Sequence, residues 1–326
     1  MKIVVSQAVA SEYGKRMRAI APNAKIVTPS VADDGTLAWS GDVSSVDVCC
    51  LSEDLWQEPQ LRQLVLPAFF RFEGLRWFHT FSAGVDSPAF QTIIDGGALL
   101  TNSSGASAPS IAQYVIAMML YRTKRIDEWR EQQKRREWLQ LSPNELTGQT
   151  VGIIGTGAIG GEVARLAKAF RMKTIGMRRS DKRTPYIDEQ VHPRRLAHLL
   201  KKSDFVVLAC PLTKETEGLI GERELRAMKP TATLINVARG RVVVEGALIR
   251  ALQEEWIAGA CLDVFTFEPL PESSPLWDLP NVIVTPHNSG PSPLNMERAM
   301  AIFLDNLARL AAGKRLRNLV TKAGVG

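Results

Sequence analysis

Three side chains able to do chemistry stand just past apolar runs in the second half of the chain. Arg239 follows the run 232–237, Glu268 lies shortly after 258–264, and His287 follows 282–285. A guanidinium is a rigid fork of donors suited to a carboxylate or phosphate, and an imidazole exchanges a proton near neutral pH. Each residue also has an ordinary reading: a surface charge, a turn before Pro269, a loop histidine. Upstream, the apolar run 151–154 breaks into Gly155-Thr156-Gly157-Ala158-Ile159-Gly160, a G-x-G-x-x-G, and a helical stretch over 162–173 follows. In a strand–turn–helix, the first glycine permits the tight turn. The second lets backbone approach a pyrophosphate, and the third allows close helix–strand packing. The pyrophosphate rests on the free N–H groups of the helix start. Alone, such a turn is also met without a ligand.

These residues act together only if the fold brings strand ends together. Apolar runs at 3–5, 46–51, 75–78 and 99–102 alternate with helical stretches at 11–20 and 53–66, the latter interrupted at Pro59. A long helix begins at 107 with Pro109 in its first turn, and Ile111, Val115, Met118 and Met119 fall at helical spacing. Strands are then expected at 151–154, 174–177, 205–209, 232–237, 258–264 and 282–285, with helices at 194–202, 222–228 and 246–255. This is the α/β class, with a doubly wound parallel sheet of about six strands in the second part. Ligands of such sheets bind beyond the carboxyl ends of the strands. Those ends carry the glycine turn, Arg178-Arg179-Ser180, Pro211, Arg239, Asp263 and His287. An amphipathic helix at 293–313 is expected to pack back on the first part.

Composition excludes several classes. The 326 residues are 45% hydrophobic and 23% charged, ordinary for two globular domains. The net charge of +6 is spread among acids. The segment 122–138 holds seven basic residues but also Asp127, Glu128, Glu131 and Glu137, and reads as a solvated helix or arm. No nucleic-acid partner is expected. Four cysteines lack metal-ligand spacing and read as reduced, buried thiols of a cytoplasmic protein. The longest apolar run, 114–121, falls short of the ~20 residues that span a bilayer, and the chain opens on a strand without a signal peptide, so no membrane partner is expected.

The segments Asn236-Val237-Ala238-Arg239-Gly240, Leu262-Asp263-Val264-Phe265-Thr266-Phe267-Glu268-Pro269-Leu270 and Thr285-Pro286-His287 resemble the three signature segments of the D-isomer-specific 2-hydroxyacid dehydrogenases. Pro211-Leu212-Thr213-Lys214-Glu215-Thr216 and Ser82-Ala83-Gly84-Val85-Asp86 fit the same family. The resemblance covers nearly the whole chain and is closest to the glyoxylate/hydroxypyruvate reductase group. It implies two Rossmann-like, doubly wound parallel-sheet domains. One is a flavodoxin-like substrate domain over 1–102 and 288–326, the other an NAD(P)-binding domain over 103–287. It also implies a homodimer.

The resemblance implies roles as well. His287 gives a proton to the oxygen of a 2-oxo acid, Glu268 holds the other ring nitrogen, and Arg239 binds the substrate carboxylate and polarises the carbonyl. The N–H groups of Ser82, Ala83 and Gly84 receive the carboxylate. Cofactor contacts fall on Gly155, Thr156, Gly157, Ala158, Ile159, Gly160, Arg178, Arg179, Ser180, Pro211, Thr216, Val237, Ala238, Asp263 and Gly290, with Asp263 facing the nicotinamide. Glu268, where a formate dehydrogenase of the superfamily has Gln, favours acid/base reduction. Domain closure is expected to exclude water around the hydride. Trp138 reads as a buried structural tryptophan, with the border of a partner's active site as the alternative.

The cofactor is read more finely. NAD-specific members end the second strand with an acid that binds the ribose 2′-OH. Here Arg178-Arg179-Ser180 stands there, 18 residues past Gly160 (178 − 160). Two guanidiniums and a hydroxyl suit a 2′-phosphate, so NADP(H) is expected over a possible NAD(H); an exposed basic turn is the plain alternative. Gln113 replaces a common Glu, and Asn288-Ser289-Gly290 does not define the substrate. The chain ends soon after the tail helix, so no regulatory domain of the phosphoglycerate dehydrogenase kind is expected. The expected activity is NADPH-dependent reduction of a small 2-oxo acid to the D-2-hydroxy acid. The alternatives are a broader NAD(P) D-2-hydroxyacid dehydrogenase, or a non-catalytic dinucleotide-sensing protein like the related corepressors.

Overall fold

The computed structural model describes residues 1–85 and 87–321. The chain forms two compact units, Ala108–Pro291 and the remainder on either side of it. The chain crosses between units at 107/108 and 291/292, whereas the sequence placed the crossings at 102/103 and 287/288. Side chains explain the shift. Ser103 is bonded within the first unit, to the Thr80 carbonyl at 3.2 Å, and Asn288 and Ser289 are bonded within the second, to Asp263.

The first unit opens with β1 (Lys2–Val4), α1 (Gln7–Ile20) and β2 (Lys25–Val27). A hairpin follows, β3 (Pro29–Val31) with β4 (Leu37–Trp39), then β5 (Val48–Leu51), α2 (Pro59–Phe69), β6 (Trp77–Thr80), α3 (Pro88–Asp95) and β7 (Leu99–Asn102). β2-β1-β5-β6-β7 pair in that order, all parallel, the flavodoxin-like order. Alternate residues enter opposite faces: Val4 and Cys49 one core, Ile3, Val48 and Cys50 the other. α1 starts four residues before the sequence expectation because the Ser6 hydroxyl caps it, accepting from Val9 N at 3.2 Å. The short β2 and the hairpin escaped the sequence reading, being only three residues long and partly exposed.

The second unit begins with α4 (Ala108–Thr123) and α5 (Ile126–Arg135). Then come β8 (Thr150–Ile154), α6 (Ala158–Ala169), β9 (Lys173–Met177), β10 (Glu189–Val191), α7 (Leu196–Lys202) and β11 (Phe205–Leu208). α8 (Glu222–Arg226), β12 (Thr233–Asn236), α9 (Glu245–Gln253), β13 (Gly259–Leu262) and β14 (Val282–Val284) complete it. The sheet is wholly parallel, in the order β10-β9-β8-β11-β12-β13-β14. It has seven strands, not about six: β10, Glu-Gln-Val at the edge, carries no apolar run to announce it. The order reverses beside β8, where β9 and β11 flank it, and that switch point is where such sheets bind ligands.

α6 begins at Ala158, inside the glycine motif, and not at 162. Its buried residues Gly160, Val163, Ala164 and Ala167 form one face at helical spacing, so packing overrides the weak helix propensity of Gly160 and Gly161. The chain then returns to the first unit as α10 (Asn295–Ala311) and β15 (Leu319–Val320), the latter antiparallel to β7. Met300, Phe303, Leu304 and Leu307 of α10 share a core with Val9, Tyr13 and Met17 of α1. No described helix is long and apolar enough to cross a membrane, and the four cysteines are free and buried.

Candidate active site

The β8–α6 turn is shaped by what its glycines exclude. Gly155 sits at φ +96°, and a Cβ there would lie 2.6 Å from Cys210 N; one on Gly160 would lie 2.0 Å from the Gly155 carbonyl oxygen. Gly157 instead faces open space, with no atom within 4 Å of a Cβ position. It caps α6 with extended backbone and no side-chain acceptor, leaving the first helical N–H groups to a ligand. Beside the turn lies a cleft of about 400 Å³. Gly155, Thr156 and Gly157 line it together with Arg178, Arg179, Ser180, Pro211 and Thr216. Ala158, Ile159, Gly160, Val237, Ala238, Asp263 and Gly290 are not among its lining residues.

Arg178 is held in place. Its Nη1 donates to Thr184 Oγ1 at 3.0 Å, and that hydroxyl donates to Thr156 Oγ1 at 3.0 Å. Its Nε is buried without an acceptor among the described residues. Thr216 Oγ1 donates to the Pro211 carbonyl at 2.7 Å and accepts from Thr213 N at 2.8 Å, closing the facing loop. Cys210, Thr213 and Glu215 also line the cleft, next to residues already singled out; Pro193 and Leu219 come from elements that carried no signal.

At the far strand ends, Glu268 and His287 meet. Glu268 Oε2 lies 2.8 Å from His287 Nδ1, and Oε1 accepts from Phe265 N at 3.0 Å. His287 adopts φ +51°, a left-handed conformation costly for a residue with a Cβ. Buried Asp263 explains how it persists. Its carbonyl accepts from His287 N at 2.8 Å. Its carboxylate accepts from the Thr285 hydroxyl at 2.6 Å, from Asn288 N at 2.8 Å, and from both the N–H and the hydroxyl of Ser289. Thr285 spends its one hydrogen on Asp263, so the Tyr114 hydroxyl, 2.9 Å away on α4, is the donor to Thr285. Asp263 is thus placed as the anchor of the histidine loop, and at 1% exposure it presents no face to a cofactor in this conformation.

Arg239 stands half-buried just past β12. The Asn236 side chain closes its turn, accepting from Ala238 N at 3.0 Å and donating to the Arg239 carbonyl at 3.1 Å. A Cβ on the next residue, Gly240, would come within 1.9 Å of the Phe265 carbonyl carbon. That glycine therefore lets the arginine turn pack against the segment whose Phe265 N binds Glu268. Asn236, Gly240, Thr285, Ser289 and Tyr114 all went unassigned in the sequence, where only their neighbours carried a chemical signal.

A family model described as D-isomer specific 2-hydroxyacid dehydrogenase, NAD binding domain, matches residues 116–289. The chain belongs to this family. It is 37% identical over 257 residues to the glyoxylate reductase of Aeropyrum pernix, covering 76% of this chain and 77% of that one. It is 37% identical over 292 residues to the glyoxylate reductase of Pyrococcus furiosus, covering 86% and 84%. Among solved structures, the NADPH-dependent glyoxylate/hydroxypyruvate reductase of Sinorhizobium meliloti, in complex with NADP and sulfate, is 26% identical with a TM-score of 0.79, covering 99% of both chains. A family member from Xanthobacter autotrophicus, in complex with NADPH and MES, is 28% identical with a TM-score of 0.78, covering 98% and 97%.

As a member of the D-2-hydroxyacid dehydrogenase family, this protein is an NAD(P)-dependent oxidoreductase acting on CH–OH groups. Its nicotinamide dinucleotide fits the residues present: an open approach at Gly157, unspent helix N–H groups and the donor-rich end of β9. In the other unit of the dehydrogenase, loop 82–84 is tied down on both sides. Asn102 donates to the Ala83 carbonyl at 2.7 Å, and Ser103 N to the Ser82 carbonyl at 3.3 Å. Ser82 N already donates to Thr80 Oγ1 at 3.3 Å; the N–H groups of Ala83 and Gly84 have no acceptor among the described residues. Asp86 lies outside the described residues. Trp138 is 95% exposed, which overturns its reading as a buried structural residue. The arm follows α5, a helix with no buried residue, so no core is at hand to receive the indole.

Proposed function

We propose that this dehydrogenase reduces a small 2-oxo acid of the glyoxylate/hydroxypyruvate type to the D-2-hydroxy acid, preferring NADPH to NADH. The observation that carries the reading is the Glu268–His287 contact at 2.8 Å on a histidine whose strained backbone is pinned by Asp263. With Nδ1 engaged by a carboxylate, the histidine keeps Nε2 for substrate. When bound, the reduced nicotinamide supplies a hydride to C2 of the oxo acid. His287 Nε2 gives its proton to the carbonyl oxygen and remains as a neutral imidazole with Nδ1–H on Glu268. Arg239 binds the substrate carboxylate and polarises the carbonyl. The N–H groups of Ala83 and Gly84 add carboxylate donors, with Ser82 joining only by releasing Thr80. Val237, Ala238 and Gly290 complete the cofactor contacts on the family resemblance.

Arg178, Arg179 and Ser180 favour a 2′-phosphate, and two relatives in this group are described with NADP or NADPH bound. The enzyme acts as a homodimer, supported by the exposed Trp138 and Leu139 of the arm, and works in the reducing cytoplasm, supported by its four buried free thiols. The test is a steady-state panel of glyoxylate, hydroxypyruvate, pyruvate and phenylpyruvate against both reduced cofactors. His287→Ala lowers kcat by about a hundredfold or more, with cofactor affinity retained. Arg178→Asp with Arg179→Ala reverses the NADPH/NADH ratio of kcat/KM. Absence of turnover with every 2-oxo acid ends the reductase reading; an unmoved ratio ends the NADPH preference.

A further inference from the structure

The cofactor cleft contains a charge that opposes its own arginines. Among the described lining residues Glu215 is the single acid, on the loop facing Arg178-Arg179-Ser180. Its Oε2 lies 3.8 Å from Arg179 Nη1 across the cleft. The carboxylate does not hang loose. Thr213 Oγ1 donates to the same Oε2 at 2.7 Å, and Glu215 N donates back to Thr213 Oγ1 at 3.3 Å. Thr213 in turn is tied through its N–H to Thr216 Oγ1. The bond from Thr213 holds the Glu215 carboxyl below its usual range, so it is ionised at neutral pH.

The two arginines differ accordingly. Arg178 is half-buried and braced by Thr184, whereas Arg179 is exposed and its anionic partner across the cleft is Glu215. A 2′-phosphate seated at the end of β9 meets one fixed guanidinium and one already shared with a carboxylate. We propose that Glu215 is a counter-determinant of cofactor choice: it competes with a 2′-phosphate for Arg179 and repels it, narrowing the preference for NADP(H) and keeping NAD(H) usable. This rests on the reading of the Arg178-Arg179-Ser180 end as a 2′-phosphate site. A ribose bearing a neutral 2′-OH carries no charge there for Glu215 to repel, so the effect falls on one cofactor.

The experiment measures equilibrium Kd for NADP+ and NAD+ on the full-length protein by calorimetry, without turnover. Glu215→Gln tightens NADP+ by about fivefold at low salt, and the gain shrinks toward unity at about 0.5 M salt because the pair is exposed. NAD+ changes by less than about twofold, since its 2′-OH is neutral. Glu217→Gln serves as control: that carboxylate is paired with Arg241 and does not line the cleft, so both affinities stay put. Unchanged or weaker NADP+ binding in Glu215→Gln, or an equal gain for both cofactors, overturns the proposal. The double replacement Arg178→Asp with Arg179→Ala separates the two failures. If it leaves the ratio of affinities unmoved, the 2′-phosphate site itself is wrong; if it moves the ratio while Glu215→Gln does not, only the role of Glu215 falls.

Discussion

The two units share a parallel-sheet plan but finish their strands in different chemistry. Past the strand ends of the second unit stand Arg178, Arg239, Asp263 and His287, and the buried carboxylate collects four donors that hold a loop in shape. Past those of the first unit stand hydroxyls, with Ser52 Oγ on Ser6 Oγ at 3.2 Å, and a buried histidine lies within β6, one residue before its end. His79 Nδ1 lies 2.8 Å from Thr101 Oγ1, and Nε2 lies 3.0 Å from Ser103 Oγ. Ser103 donates to the Thr80 carbonyl, so the hydrogen count makes Nε2 the donor to Ser103 and Nδ1 the acceptor from Thr101. Thr101 also accepts from Trp77 Nε1 at 2.8 Å. Burial pushes the imidazole down to about 3, so it is neutral under ordinary conditions. One unit supports its loop with a carboxylate and the other with an uncharged relay. The fold supplies strand ends; the side chains there decide whether they handle charge or position backbone.

The sharpest way to break this contrast is Asp263→Asn. An amide nitrogen then faces donors, the histidine loop relaxes, and kcat falls by about a hundredfold through misplacement alone. The Kd for NADP+ stays within a few-fold, because Asp263 does not line the cleft. An unchanged kcat means that backbone bonds suffice to hold His287.

A smaller effect tests the uncharged relay. Because the folded His79 value lies below the unfolded one, its contribution is fully present above about pH 6.5 and is lost as pH falls toward 3, by at most about 1.4 kcal/mol per pH unit. Urea midpoints measured between pH 7 and 4.5 fall more steeply for the wild type than for His79→Gln. Parallel slopes mean that burial of His79 does not shape acid stability.

The smallest expected effect concerns the brace behind Arg178. Thr184→Val removes one hydrogen bond to the guanidinium and weakens NADP+ by about threefold, with NAD+ unaffected. A calorimetric titration that shows equal loss for both cofactors makes Thr184 a support of the cleft as a whole.

Much of this was legible because the signals were local. The glycine turn spans six consecutive residues, and each buried strand of the second unit is an apolar run whose type follows from burial on both faces. β10 was not legible, because an edge strand needs no apolar run, and neither was the early start of α6, where a packing face outweighs two glycines. The placement of Asp263 was out of reach for another reason. Its partners lie 22 to 26 positions away, and only the β13–β14 pairing brings Thr285 and Ser289 to it.

From the sequence alone follow the alternation of strands and helices, the dinucleotide turn, the family and the residue types at the strand ends. These depend on neighbours along the chain, and local periodicity and backbone sterics express them directly. What only the tertiary structure decided is which side chain answers which. Asp263 pins the His287 loop, Tyr114 donates to Thr285, and Glu215 faces Arg179. Hydrogen bonds and charges act over a few ångströms in space, and sequence separation does not record that distance until the sheet has set its strand order.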